Sequence, residues 1–297
     1  MAAMPREYEQ LKRTSDVLDD PLLTVFERYC EEAATATDAL EWSWKLVGWQ
    51  ALSNRVYWLG AGGRTEVTAR ALEWLASELA FGGGDLDGGL AAWRAIVRGG
   101  LDRALVAYAG ANPLTNQPAA IKMYLVLDGC DPATYRRFVR PVSPSLPEQP
   151  PPPAAVVLLC HRVAADGRTA ARVYVLFNRE DYERPDIAAY VSSAAGSRAL
   201  EVARQYPRSG FALKRDTTDM LGIGLRPTGR RTLDPECLCT PVMIPLANAA
   251  ARVPELHARL HRVSWVTIPL DDESLAFPRR LREMNIYVVL DGHGAGA

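Results

Sequence analysis

An excess of either charge is the first thing this sequence lacks. Its 297 residues hold 34 Lys plus Arg against 35 Asp plus Glu, a formal net charge of −1. A protein that tracks phosphates along a nucleic acid needs net or clustered positive charge, so no nucleic-acid partner is expected. Long hydrophobic runs are missing too. No window approaches the ~18 consecutive apolar residues of a membrane-spanning helix. The first twenty residues carry charges throughout and do not read as a signal peptide, so no membrane association is expected. Cysteine is scarce: Cys30, Cys130, Cys160, Cys237 and Cys239 are an odd set with no paired framework. That usage suits a reducing cytosol and predicts a cytoplasmic protein. Apolar content is not in deficit. At 48 % hydrophobic, the chain has enough to offset the ordering entropy that keeps depleted sequences unfolded.

Sharp chemical motifs are absent as well. Gly60-Ala61-Gly62-Gly63 follows a strand-like run but lacks the spacing and the Gly-Lys-Ser/Thr ending of a phosphate loop, so it predicts a turn. Cys237 and Cys239, with His257 and His261 one helical turn apart, have the wrong spacer for a zinc site and predict buried strand cysteines.

What is present is periodicity. Helical spacing covers 7–35 with a break at Pro21, then 65–80, 88–99, 132–139, 185–194, 197–206 and 247–262. A two-residue period covers 40–60 as a strand pair, 103–109, 120–128 and a hairpin over 154–179 that turns at Asp166-Gly167. Further strands are predicted at 210–216, 219–226, 237–246, 263–269 and 284–291, with a short proline-interrupted helix before the last. The proline-rich stretch 143–153 predicts a loop inserted in one domain spanning 1–297. Helix pairs thus alternate with strand pairs. There are no regular β-α-β crossings, which argues against a doubly wound parallel sheet.

The strand faces carry the most information. Trp42, Trp44 and Leu46 share one face, opposite Glu41, Ser43 and Lys45. Ile121, Met123, Leu125 and Leu127 oppose Lys122 and Tyr124. Val173, Val175 and Phe177 oppose Arg172 and Tyr174, and Leu221, Ile223 and Leu225 oppose Gly222, Gly224 and Arg226. A flat antiparallel sheet would turn the polar faces to water. A closed barrel belted by helices would gather them in a polar lumen, wide enough for a ligand at about ten strands.

With these residues in view, the chain resembles the cyanobactin peptide prenyltransferases, of the ABBA type. The resemblance is carried by Glu41-x13-Arg55, by IKMYLVLDG at 121–129, by RVYVLFNREDYERPDI at 172–187 and by LREMNIYVVL at 281–290, in order over most of the chain. It implies an α/β fold, a ring of ααββ units forming an antiparallel barrel inside a belt of helices. It also implies transfer of an isoprenyl group, geranyl or dimethylallyl, from its diphosphate to a side chain of a ribosomal, macrocyclic peptide. Mg²⁺ is implied only as a companion of the diphosphate, held mostly by the donor's own oxygens. Neither Asp19-Asp20 nor Asp271-Asp272 completes the aspartate cluster of the helical, metal-dependent prenyl synthases.

That chemistry has three requirements. The leaving diphosphate must be neutralised. Arg55, Lys122 and Tyr174 match diphosphate-binding positions of the family, and strand parity adds Tyr124 and Arg226. The allylic cation must be shielded from water, a task for aromatic faces at roughly 0.5–2 kcal/mol each; Tyr287, Trp265, Tyr124 and Tyr174 are candidates. The acceptor must lose a proton, and Glu41 matches the family's acidic residue, as a general base or as a clamp on a cationic acceptor. Gly222 and Gly224 stand where relatives carry bulky aromatics, which predicts open volume for a ten-carbon geranyl chain. The aromatic-rich strand expected next reads CLCTPVMIPL here. Two other readings remain open at this point: a prenyltransferase for a small aromatic metabolite, and a non-catalytic barrel that binds an isoprenoid or an anion.

Overall fold

Every strand with one apolar face must cover it, and the chain does so by closing a sheet on itself under helices. The computed structural model describes residues 4, 6–15, 20–33, 39–48, 50–59, 104–113, 116–129, 131–140, 149–213, 218–226, 234–240, 242–271, 275 and 283–290. Ten strands form the barrel: β1 (Ala39–Val47), β2 (Gln50–Leu59), β3 (Ala104–Ala109), β4 (Ala120–Asp128), β5 (Val156–Ala164), β6 (Thr169–Asn178), β7 (Arg208–Leu213), β8 (Thr218–Gly224), β9 (Val263–Pro269) and β10 (Glu283–Val289). Each is antiparallel to the next in sequence, and β10 pairs with β1 to close the ring. Among the described residues closure leaves no unpaired strand edge.

Helices pack on the outside. Among the described residues they are α1 (Arg6–Arg13), α2 (Pro21–Ala33), α3 (Pro132–Thr134, continued by a π-helical turn over Tyr135–Val139), α4 (Pro185–Ala195), α5 (Ser197–Ala203), α6 (Met243–Ala250) and α7 (Pro254–His257). One hydrophobic cluster joins Tyr8, Phe26, Tyr29, Ile187, Val191, Leu200 and Leu246 of these helices to the outward strand residues Trp42, Trp44, Met123, Val175, Ile223 and Ile286. Full burial of such a side chain contributes roughly 1.5–3 kcal/mol. The predicted apolar faces therefore look outward to the helices, and the polar faces look into the barrel.

Several boundaries differ from the sequence reading. Pro21 opens α2 rather than interrupting one long helix, because proline is tolerated at a first helical position. The helix predicted over 247–262 divides at Val253-Pro254 for the same reason. The predicted strand at 237–246 is not a strand. A 3₁₀ turn runs over Pro235–Cys239, capped by the Asp234 side chain, and α6 follows. Pro245 has no N–H to give a sheet ladder, and the ring closes without this segment. The helices predicted at 65–80 and 88–99, the Gly60–Gly63 turn and residues 143–148 of the proline-rich stretch lie outside the described residues. Among the described residues no helix is long and apolar enough to cross a membrane.

Among the described residues the ring has three bulges, and two of them, on β2 and β9, set which side chains enter the barrel near β1 and β10. Ser43 pairs with Arg55 but Trp44 pairs with Ser53, so Asn54 is the extra residue of β2. On the far side Tyr287 pairs with Trp265 but Val288 pairs with Val263, which leaves Ser264 as the extra residue of β9.

Candidate functional site

The inner wall has two chemically different ends. β1, β5 and β9 run in one direction and their neighbours in the other, so the start of β1 shares an end with the start of β9 and the finish of β10. Lys45, Arg55, Lys122, Arg162 and Arg172 line one end. Glu41, Ser264 and Arg226 line the other. A layer of tyrosines lies between.

The cationic end is built by register. Lys122 on β4 faces Arg162 on β5, and Cys160, two residues before Arg162, faces Arg172 on β6. Arg55 approaches from β2, and its Nη1 donates to Asn285 Oδ1 at 2.8 Å. Asn285 Nδ2 in turn donates to Thr267 Oγ1 at 2.6 Å, fixing the amide that orients Arg55. Lys45 is matched by Glu283 at 2.6 Å. Lys122 has no such partner among the described residues. Burial pushes its ammonium down to about 7, and the charges of Arg55, Arg172 and Arg162 add to the push. Burial raises the Cys160 thiol, while Lys122, Arg172 and Arg162 pull it back. A buried cation without a counter-charge is costly, so this wall favours any polyanion that fits it.

The tyrosine layer is continuous. Tyr287 and Tyr57 have ring centroids 5.2 Å apart, Tyr57 and Tyr124 6.3 Å, and Tyr124 and Tyr174 5.9 Å. These are ordinary aromatic contact distances. Burial holds the phenols of Tyr57, Tyr124 and Tyr174 well above their usual range. They stay protonated and can donate to an anion on the cationic side, while their rings offer faces to a cation. Trp265 extends the layer across β9, beside Tyr287.

Here the sequence reading needs correction. Gly222 and Gly224 do not border open volume. A Cβ on Gly222 would lie 2.5 Å from Trp265 Cζ2, and one on Gly224 would lie 2.9 Å from Trp265 Cζ3. The missing side chains let the indole lie against β8, and the indole fills the space predicted for a prenyl tail.

At the other end Ser264 Oγ donates to Glu41 Oε1 at 2.6 Å. Burial raises the Glu41 carboxyl, while that hydrogen bond and the charge of Arg226 lower it. Arg226, predicted to join the diphosphate group, belongs at this end. Its Nε donates to the Val263 carbonyl at 3.2 Å and its Nη2 to that of His261 at 3.4 Å. It lies beyond the last residue of β8, so strand parity does not govern it.

Arg55, Lys122, Tyr124 and Tyr174 are thus brought together, Tyr287 and Trp265 border them, and Glu41 with Arg226 stands apart. Sequence reasoning passed over Tyr57, Arg162, Arg172 and Ser264 as site residues. The first three were readable as in-facing by alternation. Ser264 carried no signal, because it enters the barrel through a bulge. Among the described residues no group of three or more His, Cys, Asp or Glu could hold a metal ion. A scan against protein-family models and a search of curated proteins each gave no match.

Proposed function

We propose that this chain is a peptide prenyltransferase. It moves an isoprenyl group, geranyl or dimethylallyl, from its diphosphate to a side chain of a ribosomal, macrocyclic peptide. The observation that carries the reading is the order of the inner wall: cations, then tyrosines, then a carboxylate. The resemblance of its residue pattern to that of the cyanobactin enzymes and the closed ten-strand barrel support it.

Each layer has a task in this reaction. Arg55, Lys122, Arg162 and Arg172 bind the diphosphate and take up charge as its bond to the allylic carbon breaks and the oxygen keeps the electron pair. Neutral phenols of Tyr124 and Tyr174 donate to the phosphate oxygens. The rings of Tyr57, Tyr287 and Trp265 face the allylic cation and keep water from capturing it. The acceptor heteroatom forms the new bond to carbon, and its proton goes to Glu41. Holding the three partners in line replaces an encounter in solution by a unimolecular step. The donor set at the diphosphate end is cationic, which suits phosphate oxygens. Mg²⁺ would ride on the donor's own oxygens.

The test is mass spectrometry of a mixed cyclic-peptide pool incubated with five- and ten-carbon diphosphates. Transfer is expected with the wild-type chain. Glu41→Gln is expected to abolish it while leaving donor affinity within about twofold. Tight retention of donor with neither transfer nor slow hydrolysis would mark a binding protein instead.

A further inference from the structure

The indole of Trp265 lies over Gly222 and Gly224, so an apolar chain inside the barrel needs another wall. Three adjacent strands supply one. Their inward residues, two positions apart, repeat one order away from the cationic end: Lys122, Tyr124 and Val126 on β4, Arg162, Cys160 and Leu158 on β5, Arg172, Tyr174 and Leu176 on β6. Directly paired residues share a face, and Val126 pairs with Leu158, which pairs with Tyr174. Leu176 pairs with Gly210, and a Cβ on that glycine would lie 2.8 Å from Leu176 Cγ. Leu158 and Leu105 are only partly buried, and they pack with Tyr57, Tyr124, Tyr174 and Tyr287 inside the barrel rather than with the core under the helices. On β1 the same two-residue steps end differently: Lys45, Ser43, then Glu41. In the ring of ten, β6 lies diametrically opposite β1. The lumen wall beyond the tyrosines is therefore aliphatic on one side and carboxylate on the other.

We propose that Val126, Leu158 and Leu176, with Leu105 beside them, seat the isoprenyl tail and select a ten-carbon donor over a five-carbon one. The proposal rests on the function proposed above and names the donor of that same site. Continuity identifies the occupant. The strands that carry the cations for the diphosphate carry the aliphatic step below them, so one molecule with an anionic head and an apolar tail meets both in the order in which its parts are joined. Length identifies the chain. The aliphatic residues lie two positions past the tyrosine layer, roughly 7 Å along the strand. At about 1.5 Å per carbon–carbon bond, a dimethylallyl chain extends roughly 4.5 Å at most from its reacting carbon and stops at the phenols. A geranyl chain extends up to roughly 10 Å by the same measure and enters the aliphatic step. With the tail on β4–β6, the acceptor is left the Glu41 side, and the reacting carbon lies between them.

The experiment measures the affinity of inorganic diphosphate, dimethylallyl diphosphate and geranyl diphosphate by titration calorimetry, in wild type and in Leu158→Asn. Wild type is expected to bind geranyl diphosphate at least about tenfold tighter than dimethylallyl diphosphate, because five more carbons leave water. Leu158→Asn keeps the size of the side chain and makes it polar, so geranyl affinity should fall about tenfold while the other two ligands bind as before. Equal wild-type affinity for the two prenyl donors overturns the proposal. So does unchanged geranyl affinity in the variant, or a parallel loss for all three ligands, which would mean that Leu158 only supports the wall. Should Leu158→Asn fail to fold, the wild-type ratio decides alone. The functional reading is judged separately, by transfer. If wild type prefers geranyl diphosphate but transfers nothing to any acceptor, the tail seat stands and the transferase reading fails. If it transfers both prenyl groups and binds their donors equally, the reverse holds. Binding of none of the three overturns both.

Discussion

The two ends of the barrel solve opposite electrostatic problems. The Glu41 end is nearly complete: a carboxylate, a hydroxyl donating to it at 2.6 Å and one arginine in range. The cationic end is incomplete. Lys122 sits among Arg55, Arg162 and Arg172, and its ammonium is driven to about 7. A site that stabilised only the folded chain would pair that lysine or replace it. A site that waits for an anion keeps it. Under the function proposed above, the contrast teaches where each substrate would be recognised: the anion by charge the protein leaves unmatched, the acceptor by a polar group the protein has already tuned.

The largest effect should come from stripping the cationic end. Arg55→Gln with Lys122→Gln removes two charge-assisted contacts worth about 1.5–3 kcal/mol each, so affinity for geranyl diphosphate, read by titration calorimetry, should fall at least a hundredfold. Glu41→Gln should leave it unchanged, and equal losses would show that the ends are not separate. Lys122 gives the same contrast a pH signature. The anion prefers the charged ammonium, so affinity should decline as pH rises above about 7. Stability of the unliganded protein should move oppositely. The unfolded lysine titrates near its ordinary value of 10.5 and the folded one near 7, so between those values the unfolded chain binds more protons and stability rises with pH. A calorimetric series over that window, in which affinity and stability fell together, would refute this account of Lys122.

How far the sequence disclosed this contrast depends on strand geometry. Alternation alone put Lys122, Tyr124, Tyr174 and Arg55 inside a barrel, because a period of two leaves a side chain only two faces. It failed where the period fails. Ser264 enters by a bulge, and Arg226 lies past the end of β8, free of parity. The segment 237–246 misled for a different reason. Its apolar residues suit a strand, but Asp234 caps a turn and Pro245 lacks an N–H, so local backbone chemistry overrode the hydrophobic pattern. The glycines at 222 and 224 were legible as missing side chains, not as the floor under a tryptophan from β9, since β9 joins β8 only when the ring forms.

That tryptophan marks the seam between the two ends, and its seat is open to a sharper test. Gly222→Ala brings a Cβ to 2.5 Å from Cζ2 and 2.8 Å from Nε1 of Trp265. The indole must lift or the strands must part, at about 1–3 kcal/mol. Gly224→Ala meets the same ring at 2.9 Å and should cost less. Urea unfolding of both variants should rank them in that order. Equal, negligible costs would mean the indole rests elsewhere, and the volume first expected for a long prenyl chain would be open after all.

The smallest effect should fall at the Glu41 end, which is already satisfied. Ser264→Ala removes one hydrogen bond to a carboxylate, at the low end, about 1.5 kcal/mol, of what a bond to a charged group contributes. The sign follows from what the hydroxyl does. Ser264 also lies 3.2 Å from the Tyr287 carbonyl, but its single proton is best spent on Glu41 at 2.6 Å. That bond favours the ionised carboxyl, so its loss should raise the Glu41 pKa and move the acid limb of transfer to higher pH by about one unit. Donor affinity should stay put, because neither the hydroxyl nor the carboxylate faces the cationic wall. A drop in donor affinity matching the drop in transfer would instead tie Ser264 to the tyrosine layer through Tyr287, and the boundary between the ends would have to be drawn one strand further round the barrel.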